Sequence, residues 1–288
     1  MHDESRNSLQ SETDEVREAA RSLGFDRYLS ALLAPRGVRD DLIALAAYLG
    51  ELARIPLTVA DPQIAEIRLE WWRGAVEGFA SGVDTGNPVA DAMGRAARRF
   101  ELPVDLLLLP IEGRSRELYE DGVPDRSAFE AYLNETEGAA FRLALRILGV
   151  DAAGVSEPVL HAAASALGRT HLALSLPRLL AKGRLPFPPD EAAITGDPRQ
   201  PGQDPARTAA RCIAQALCKE ARQSLADFRA SSSGLPAAAI PAFLPLALIG
   251  PYLRAIESPR HDALAGLAEI SPLTRVFRLW RAHWRARI

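Results

Sequence analysis

The hydrophobic positions of the chain follow a helical pattern over most of its length. Leu, Ala, Ile and Val recur at spacings of three and four residues, and the period-two alternation of a strand is never sustained. Several helix starts are marked by a capping residue before a proline, as at Asp61-Pro62 and Asn87-Pro88. The pattern predicts an all-α protein with helices over residues 13–33, 39–54, 62–80, 88–100, 104–120, 126–148, 157–181, 205–229, 237–255 and 272–286.

The segments between these helices indicate one domain rather than two. The proline-rich stretch 183–202 and the turn 231–236 are predicted to be surface loops, because helical sequence of the same composition resumes after each. The acidic, serine-containing residues 1–12 are predicted to form a disordered tail before a single helical domain over 13–288. Four prolines within the apolar stretch 235–253 argue against a transmembrane helix there.

Composition narrows the classes of function. The chain is 48% hydrophobic and 25% charged, as in ordinary soluble proteins, and its net charge of −3 gives no general basis for nucleic-acid binding. Cys212 and Cys218, six residues apart on a predicted helix, point about 120° away from each other and form neither a metal pair nor a disulfide. Because the acidic N-terminus also lacks the apolar stretch of a signal peptide, we expect a cytoplasmic protein.

Three blocks of sequence carry a family resemblance. Residues 26–78, 132–144 and 167–188 are similar to consecutive helices of the squalene and phytoene synthases, which join two prenyl chains head to head. The resemblance implies a single-domain, isoprenoid-synthase-like helical bundle. It also implies that Tyr48, Gly138, Phe141 and His171 line the pocket that holds prenyl chains in the family.

The metal ligands of that family are missing. Its enzymes hold Mg²⁺ on two helices through aspartates at i, i+4 spacing, and the metal neutralises a diphosphate leaving group. The first matching segment has Ala53 and Leu57 at the aspartate positions, with Glu51 and Arg54 as a predicted i, i+3 ion pair. Pro56 is expected to interrupt this helix. The second segment has Arg178 followed by Leu179.

We therefore predict no catalytic residue, no metal ligand and no cofactor, Mg²⁺ being required only if the chain is an active prenyl synthase. Other acidic spacings do not restore a site. Glu66 with Glu70, and Glu117 with Asp121, are predicted to lie on solvated helix faces.

The C-terminal helix is amphipathic and basic. Its apolar residues fall within an arc of about 120° beside an arc of arginines; they are Leu273, Val276, Phe277, Trp280, Trp284 and Ile288, and the arginines are Arg275, Arg278, Arg281 and Arg285. The favoured interpretation is that the apolar face closes the core. The alternative is a surface that lies on an anionic membrane or docks on a partner.

The run from Glu51 to Ile55, the triplet Trp71-Trp72-Arg73 and the short link from Arg178 to Gly183 resemble a branch of the family that lacks the aspartate motifs and is related to a mitochondrial factor for respiratory complex I assembly. This resemblance implies an accessory or assembly factor for complex I or a related membrane complex, whose partner is a protein of that complex. As parts of the same hypothesis, we expect an isoprenoid or lipid ligand in a retained apolar cavity, and a location peripheral to the inner face of a membrane through contact of the C-terminal helix. Two alternatives stay open: an active head-to-head prenyl synthase with unrecognised ligands, and an isoprenoid or lipid carrier without metal.

Overall fold

The computed structural model describes residues 2–119, 123–150, 154–182, 184–188, 204–258, 261 and 266–288. Within these ranges there is no strand, and the all-α prediction is confirmed. The α-helices are α1 His2–Leu23, α2 Phe25–Leu32, α3 Arg39–Thr58, α4 Pro62–Gly78, α5 Pro88–Arg99, α6 Val104–Arg116, α7 Arg126–Leu133, α8 Ala139–Ile147, α9 Glu157–Ala181, α10 Asp204–Ser231, α11 Ile240–Phe243, α12 Ile249–Ile256 and α13 Pro272–Trp284.

The first predicted helix differs from the structure at both ends. Helix α1 begins at His2, so residues assigned above to a disordered tail are helical. The helix is then interrupted at Gly24, and α2 begins at Phe25. A Cβ at Gly24 would lie 2.7 Å from the Ala46 carbonyl oxygen, so glycine lets this corner approach α3 closely.

Helix α3 passes through Pro56 and ends at Thr58, although the sequence predicted an interruption there. Pro56 is buried in the last turn, where the loss of one backbone donor removes a single hydrogen bond. The continuation matters for the site described below, because it keeps Ala53 and Leu57 on one helix.

Two other predicted helices are divided into shorter elements in the structure: a π-helical turn divides 126–148, and prolines divide 237–255. A five-residue π-helical turn, Asn134–Gly138, separates α7 from α8. Residues 237–256 form short α and 3₁₀ pieces. Within the described chain, Ala237–Ile256 is the one segment long and apolar enough to cross a membrane, with a mean hydropathy of 1.5, yet 78% of its most apolar window is buried inside the protein.

One continuous cluster of buried side chains extends from Val16 to Ala268. Helix α9 lies at its centre and packs along α10, α12 and the π-helical turn, while α1, α2 and α5 cover α3. A smaller cluster joins α13 to residues 240–252 through Leu279 and Ala282.

The apolar arc of α13 does not close the core, contrary to the interpretation favoured from the sequence. Its members Leu273, Val276, Phe277, Trp280 and Trp284 are all exposed. Ile288 lies beyond the end of the helix and is partly buried, so it does not belong to that arc. The core instead receives Leu279 and Ala282, whose positions on the helix are opposite the aromatic side.

The close approach of α3 to the end of α1 gives a stability prediction. A Cβ at Gly50 would lie 2.6 Å from Leu23 Cβ and 3.0 Å from the Leu23 carbonyl carbon. We expect Gly50→Ala to destabilise the protein by about 2 kcal/mol through overpacking. Gly74→Ala on α4, where no atom lies within 4 Å, is the control and should be neutral or stabilising by up to about 1 kcal/mol. Urea unfolding of the two variants measures the difference, and equal effects would contradict the packing argument.

Candidate functional site

A cavity of about 340 Å³ lies between α2, α3, α6, the π-helical turn and α9, with residues of α12 and α13 at its side. Its apolar wall is made of leucines and small residues of α3 and α9. The charged lining residues belong to three clusters in which each carboxylate meets an arginine. The charged residues in these clusters are Asp26, Arg27, Arg114, Glu117, Glu137, His171 and Arg275.

Glu137 holds the centre of the first cluster. The π-helical turn directs this buried carboxylate at Arg27 of α2, with Nη2 2.6 Å from Oε2, and at His171 of α9, with Nδ1 2.9 Å from Oε1. Burial by itself raises the pKa of a carboxyl group, but the charge of Arg27 and the contact with His171 outweigh it and hold the pKa of Glu137 well below its usual range. Glu137 is therefore ionised and already paired.

The second cluster lies at the end of α6. The Arg114 guanidinium pairs with Glu117, which also accepts a hydrogen bond of 2.8 Å from the Tyr132 hydroxyl. Burial and the neighbouring Glu117 raise the pKa of Tyr132, which keeps its hydroxyl protonated and able to donate. Glu117 was predicted to lie on a solvated face but is 3% exposed, because α6 ends there and turns it towards Arg114. Its predicted partner Asp121 lies outside the described residues.

The third cluster ties α13 to the cavity. Arg275 Nε lies 2.8 Å from Asp26 Oδ1, and the Tyr252 hydroxyl donates to Asp26 Oδ2 at 2.7 Å while accepting from Arg275 at 2.8 Å. The guanidinium also stacks 5.0 Å from the centre of the Phe25 ring. The negative charge of Asp26, which adjoins Arg27 of the first cluster, is thereby compensated by Arg275 from the C-terminal helix.

The two segments that hold metal in the family line the same cavity with apolar side chains. Ala53 and Leu57 come from α3, and Leu179 comes from α9. Arg54 and Arg178 point outwards and are exposed. Glu51, which is not among the lining residues, pairs with Arg54 at 2.8 Å, the i, i+3 ion pair expected from the sequence.

These residues do not fit a Mg²⁺–diphosphate site. Mg²⁺ requires free oxygen ligands, yet the three cavity carboxylates are each paired with an arginine and none lies on the α3 or α9 positions of the family's aspartates. Within the described chain, no three His, Cys, Asp or Glu side chains are grouped so that they could hold a metal ion. No step of diphosphate ionisation is supported by this lining.

Two cations after α9 fix the metal-motif segments relative to each other. Arg184 is buried and donates to the carbonyl oxygens of Pro56, Val59 and Ala60 at 3.4, 3.3 and 2.6 Å, and Lys182 donates to Val59 at 3.0 Å. These carbonyls lie in the last turn of α3 and just beyond its end, so the two cations stand at the negative end of the helix dipole. Lys182 and Arg184 thus have a structural role.

Of the four residues predicted to line the pocket, His171 does so. Tyr48 is fully buried on the other side of α3, where its hydroxyl donates to the Leu107 carbonyl at 2.7 Å and its ring packs on Trp72. Phe141 directly follows Ala140, which lines the cavity, and does not line it. Its ring stacks on that of Phe243, with 5.1 Å between the ring centres. Gly138 is buried within the π-helical turn, which directs Thr136 and Glu137 into the cavity in its place.

The paired charges of the lining were not predicted from the sequence. Asp26, Arg27 and Glu137 were inside the resembling blocks, but their partners are far away along the chain. The i, i+3 spacing of Arg114 and Glu117 was the one local signal that could have found a pair.

The fold and the lining define an isoprenoid-synthase-like protein whose metal-binding side chains have been replaced. The squalene/phytoene synthase family matches residues 20–287, and the chain belongs to that family. It is similar to NADH dehydrogenase (ubiquinone) complex I, assembly factor 6 from Bos taurus, with 26% identity over 93% of this chain and 81% of the relative, and from Homo sapiens, with 25% over 92% and 80%.

Solved structures show the same fold. Squalene synthase HpnC from Alicyclobacillus acidocaldarius matches with a TM-score of 0.66 and 20% identity, over 86% of this chain and 94% of the other. A dehydrosqualene synthase matches with a TM-score of 0.70 and 14% identity, over 97% and 98%. At these identities the likeness extends to the fold alone.

The low pKa of Glu137 predicts a pH-dependent stability. Glu137→Gln leaves Arg27 without its buried partner, and we expect a loss of about 3 kcal/mol at pH 7. Because the pKa of Glu137 is lower in the folded chain than its usual 4.5, its ionised form adds stability above pH 4.5, and this contribution is lost progressively as the pH falls from 4.5 towards the pKa of the folded chain. The difference between wild type and variant should therefore narrow below pH 4.5.

Urea unfolding at pH 7, 5 and 4 measures this difference. Glu51→Gln, which removes a carboxylate from a solvent-accessible pair, is the control and should cost at most about 1 kcal/mol. A loss in Glu137→Gln that stays constant with pH would refute the assignment of an ionised, paired Glu137.

Proposed function

We propose that this protein is a non-catalytic accessory factor in the assembly of respiratory complex I or a related membrane complex, acting on a protein of that complex. The observation that carries the proposal is the replacement of both metal-holding segments by Ala53, Leu57 and Leu179 in a chain similar, over more than nine-tenths of its length, to proteins named complex I assembly factor 6. A family fold that lacks its metal ligands at two separate helices no longer depends on diphosphate chemistry.

The paired charges of the cavity support the same proposal. An enzyme that ionises a diphosphate needs charges left free for substrate and metal. Here Arg27, Arg114 and Arg275 each already meet a carboxylate. The proposal accordingly requires no cofactor, and it locates the protein in the cytoplasm, peripheral to the inner face of the membrane that carries the complex.

A second candidate function is a lipid or isoprenoid carrier. The observation that favours it is the cavity itself, which at about 340 Å³ falls within the size range of small-molecule sites and keeps leucines of α3 and α9 in its wall. A carrier needs this space, whereas a scaffold that works through its surface does not.

Deletion of the gene tests the assembly role directly. We expect loss of assembled NADH dehydrogenase complex, measured by native electrophoresis and NADH oxidation, with unchanged squalene, carotenoid and quinone content. Altered isoprenoids with normal complex assembly would contradict the proposal and favour a prenyl synthase. Re-expression of the wild-type chain is the control that assigns the defect to this protein.

Substitutions at two adjacent positions on α3 distinguish a scaffold function from a carrier function. Ala53→Trp fills the cavity, and Arg54→Trp puts the same side chain on the exposed face one residue away. For a scaffold we expect both folded variants, checked by circular dichroism, to restore assembly to at least half the wild-type level. Loss with Ala53→Trp alone would establish the carrier function instead.

Incubation of the purified protein with farnesyl or geranylgeranyl diphosphate and Mg²⁺ tests for residual catalysis. We expect no diphosphate release above the rate without protein, because no free carboxylates face the cavity from α3 or α9. A squalene synthase assayed in parallel is the positive control. Turnover that disappears in Glu51→Gln would refute the non-catalytic function and identify Glu51 as an unrecognised ligand.

A further inference from the structure

Helix α13 presents a continuous apolar stripe to solvent. Leu273, Val276, Phe277, Trp280 and Trp284 are 83, 54, 55, 50 and 74% exposed. They lie within an arc of about 100° on the helix. The Trp280 and Trp284 rings stack at 5.8 Å, and Phe277 continues the row 6.5 Å from Trp280. Five large apolar side chains in one exposed row on one helix are an interaction surface.

Arginines border this stripe and form a pocket of about 260 Å³. Arg278, Arg281, Arg285 and Arg287 line it together with Arg229 from the end of α10. None of the five forms an ion pair with another residue in the described part of the chain. The sequence from 272 to 288 contains no Asp or Glu, so the four arginines of this segment have no acidic neighbours on it. The pocket is therefore concave and positively charged.

The rotation of α13 is fixed by its opposite face. Leu279 and Ala282 are buried against the smaller core cluster, and Arg275 is held by Asp26 and Tyr252. The helix cannot turn its tryptophans inwards without breaking these contacts. The stripe and the arginine pocket are thus presented together on one side of the molecule.

We propose that this side, formed by the apolar stripe and the arginine pocket, docks on a bilayer containing anionic phospholipids, with a phosphate-bearing headgroup in the pocket. Trp and Phe side chains suit the boundary between headgroups and acyl chains, and arginines beside them match negative headgroups. Nucleic acid would use the arginines but not five exposed apolar side chains. The inference deepens the membrane-side location proposed above and names its lipid class and its residues.

Vesicle sedimentation with the full chain tests the proposal. Vesicles of phosphatidylcholine alone are compared with vesicles of 70% phosphatidylcholine and 30% phosphatidylglycerol. Each comparison is made at low salt and at about 0.5 M NaCl, and the higher salt shortens the range of electrostatic attraction to a few ångströms. We expect at least tenfold stronger partitioning onto the anionic vesicles at low salt. Trp280→Ser/Trp284→Ser and Arg281→Glu/Arg285→Glu should each lose at least tenfold of this binding.

Matched exposed positions on α4 provide the controls. Trp71→Ser removes an exposed tryptophan and Arg68→Glu reverses an exposed arginine, and both should bind vesicles as the wild type does. Circular dichroism checks that each variant is folded. Equal binding to neutral and anionic vesicles, wild-type binding by the α13 variants, or no vesicle binding at all would overturn the proposal.

The outcome is independent of the assembly function. Vesicle binding is measured with purified protein, so its failure leaves the gene-deletion result unaffected. If the surface recognised an acidic protein instead of a membrane, the wild type would remain in the supernatant with every vesicle, which counts against the proposal.

Inorganic phosphate at 50 mM is a further probe, and we expect it to reduce anionic-vesicle binding more than the same ionic strength of NaCl, because the pocket takes a phosphate group.

Discussion

The buried ion pair between Arg27 and Glu137 is the contact around which the cavity is arranged. A carboxylate that loses its water needs a partner charge, and here the partner comes from α2 while the carboxylate comes from the π-helical turn 110 residues away. His171 of α9 meets the same carboxylate, so three separate elements converge on one charge. The π-helical turn is itself part of this arrangement, because the extra residue in the helix is what aims Glu137 at the cavity.

The same principle accounts for the rest of the lining and for its chemistry. Glu117 and Asp26 are satisfied in the same way by Arg114 and Arg275. Charge is thereby neutralised within the protein, whereas in a prenyl synthase Mg²⁺ neutralises the carboxylates and the diphosphate. The apolar positions Ala53 and Leu57 are compatible with this state, because they add no charge to be neutralised. The self-paired cavity supports the accessory function proposed above.

Helix α13 connects this cavity with the outer surface. Its Arg275 belongs to the third cluster, whereas its tryptophans face solvent, so one helix contributes to both the cavity wall and the proposed membrane-facing side. The buried contacts of the helix are few, since only Leu279 and Ala282 are fully covered. The Asp26–Arg275–Tyr252 cluster therefore contributes much of what determines which side of α13 is presented outwards.

The sequence by itself determined the helical class, the family and the loss of the metal ligands. Each of these depends on local spacing: the three-and-four periodicity, and the residue types at i, i+4 positions such as Ala53 and Leu57. Only the tertiary structure decided how charges pair, because the partners of Glu137 and Asp26 are distant in sequence. It also decided that α13 buries Leu279 and exposes Trp280, since the periodicity of one helix identifies an apolar face but does not say whether another element covers it.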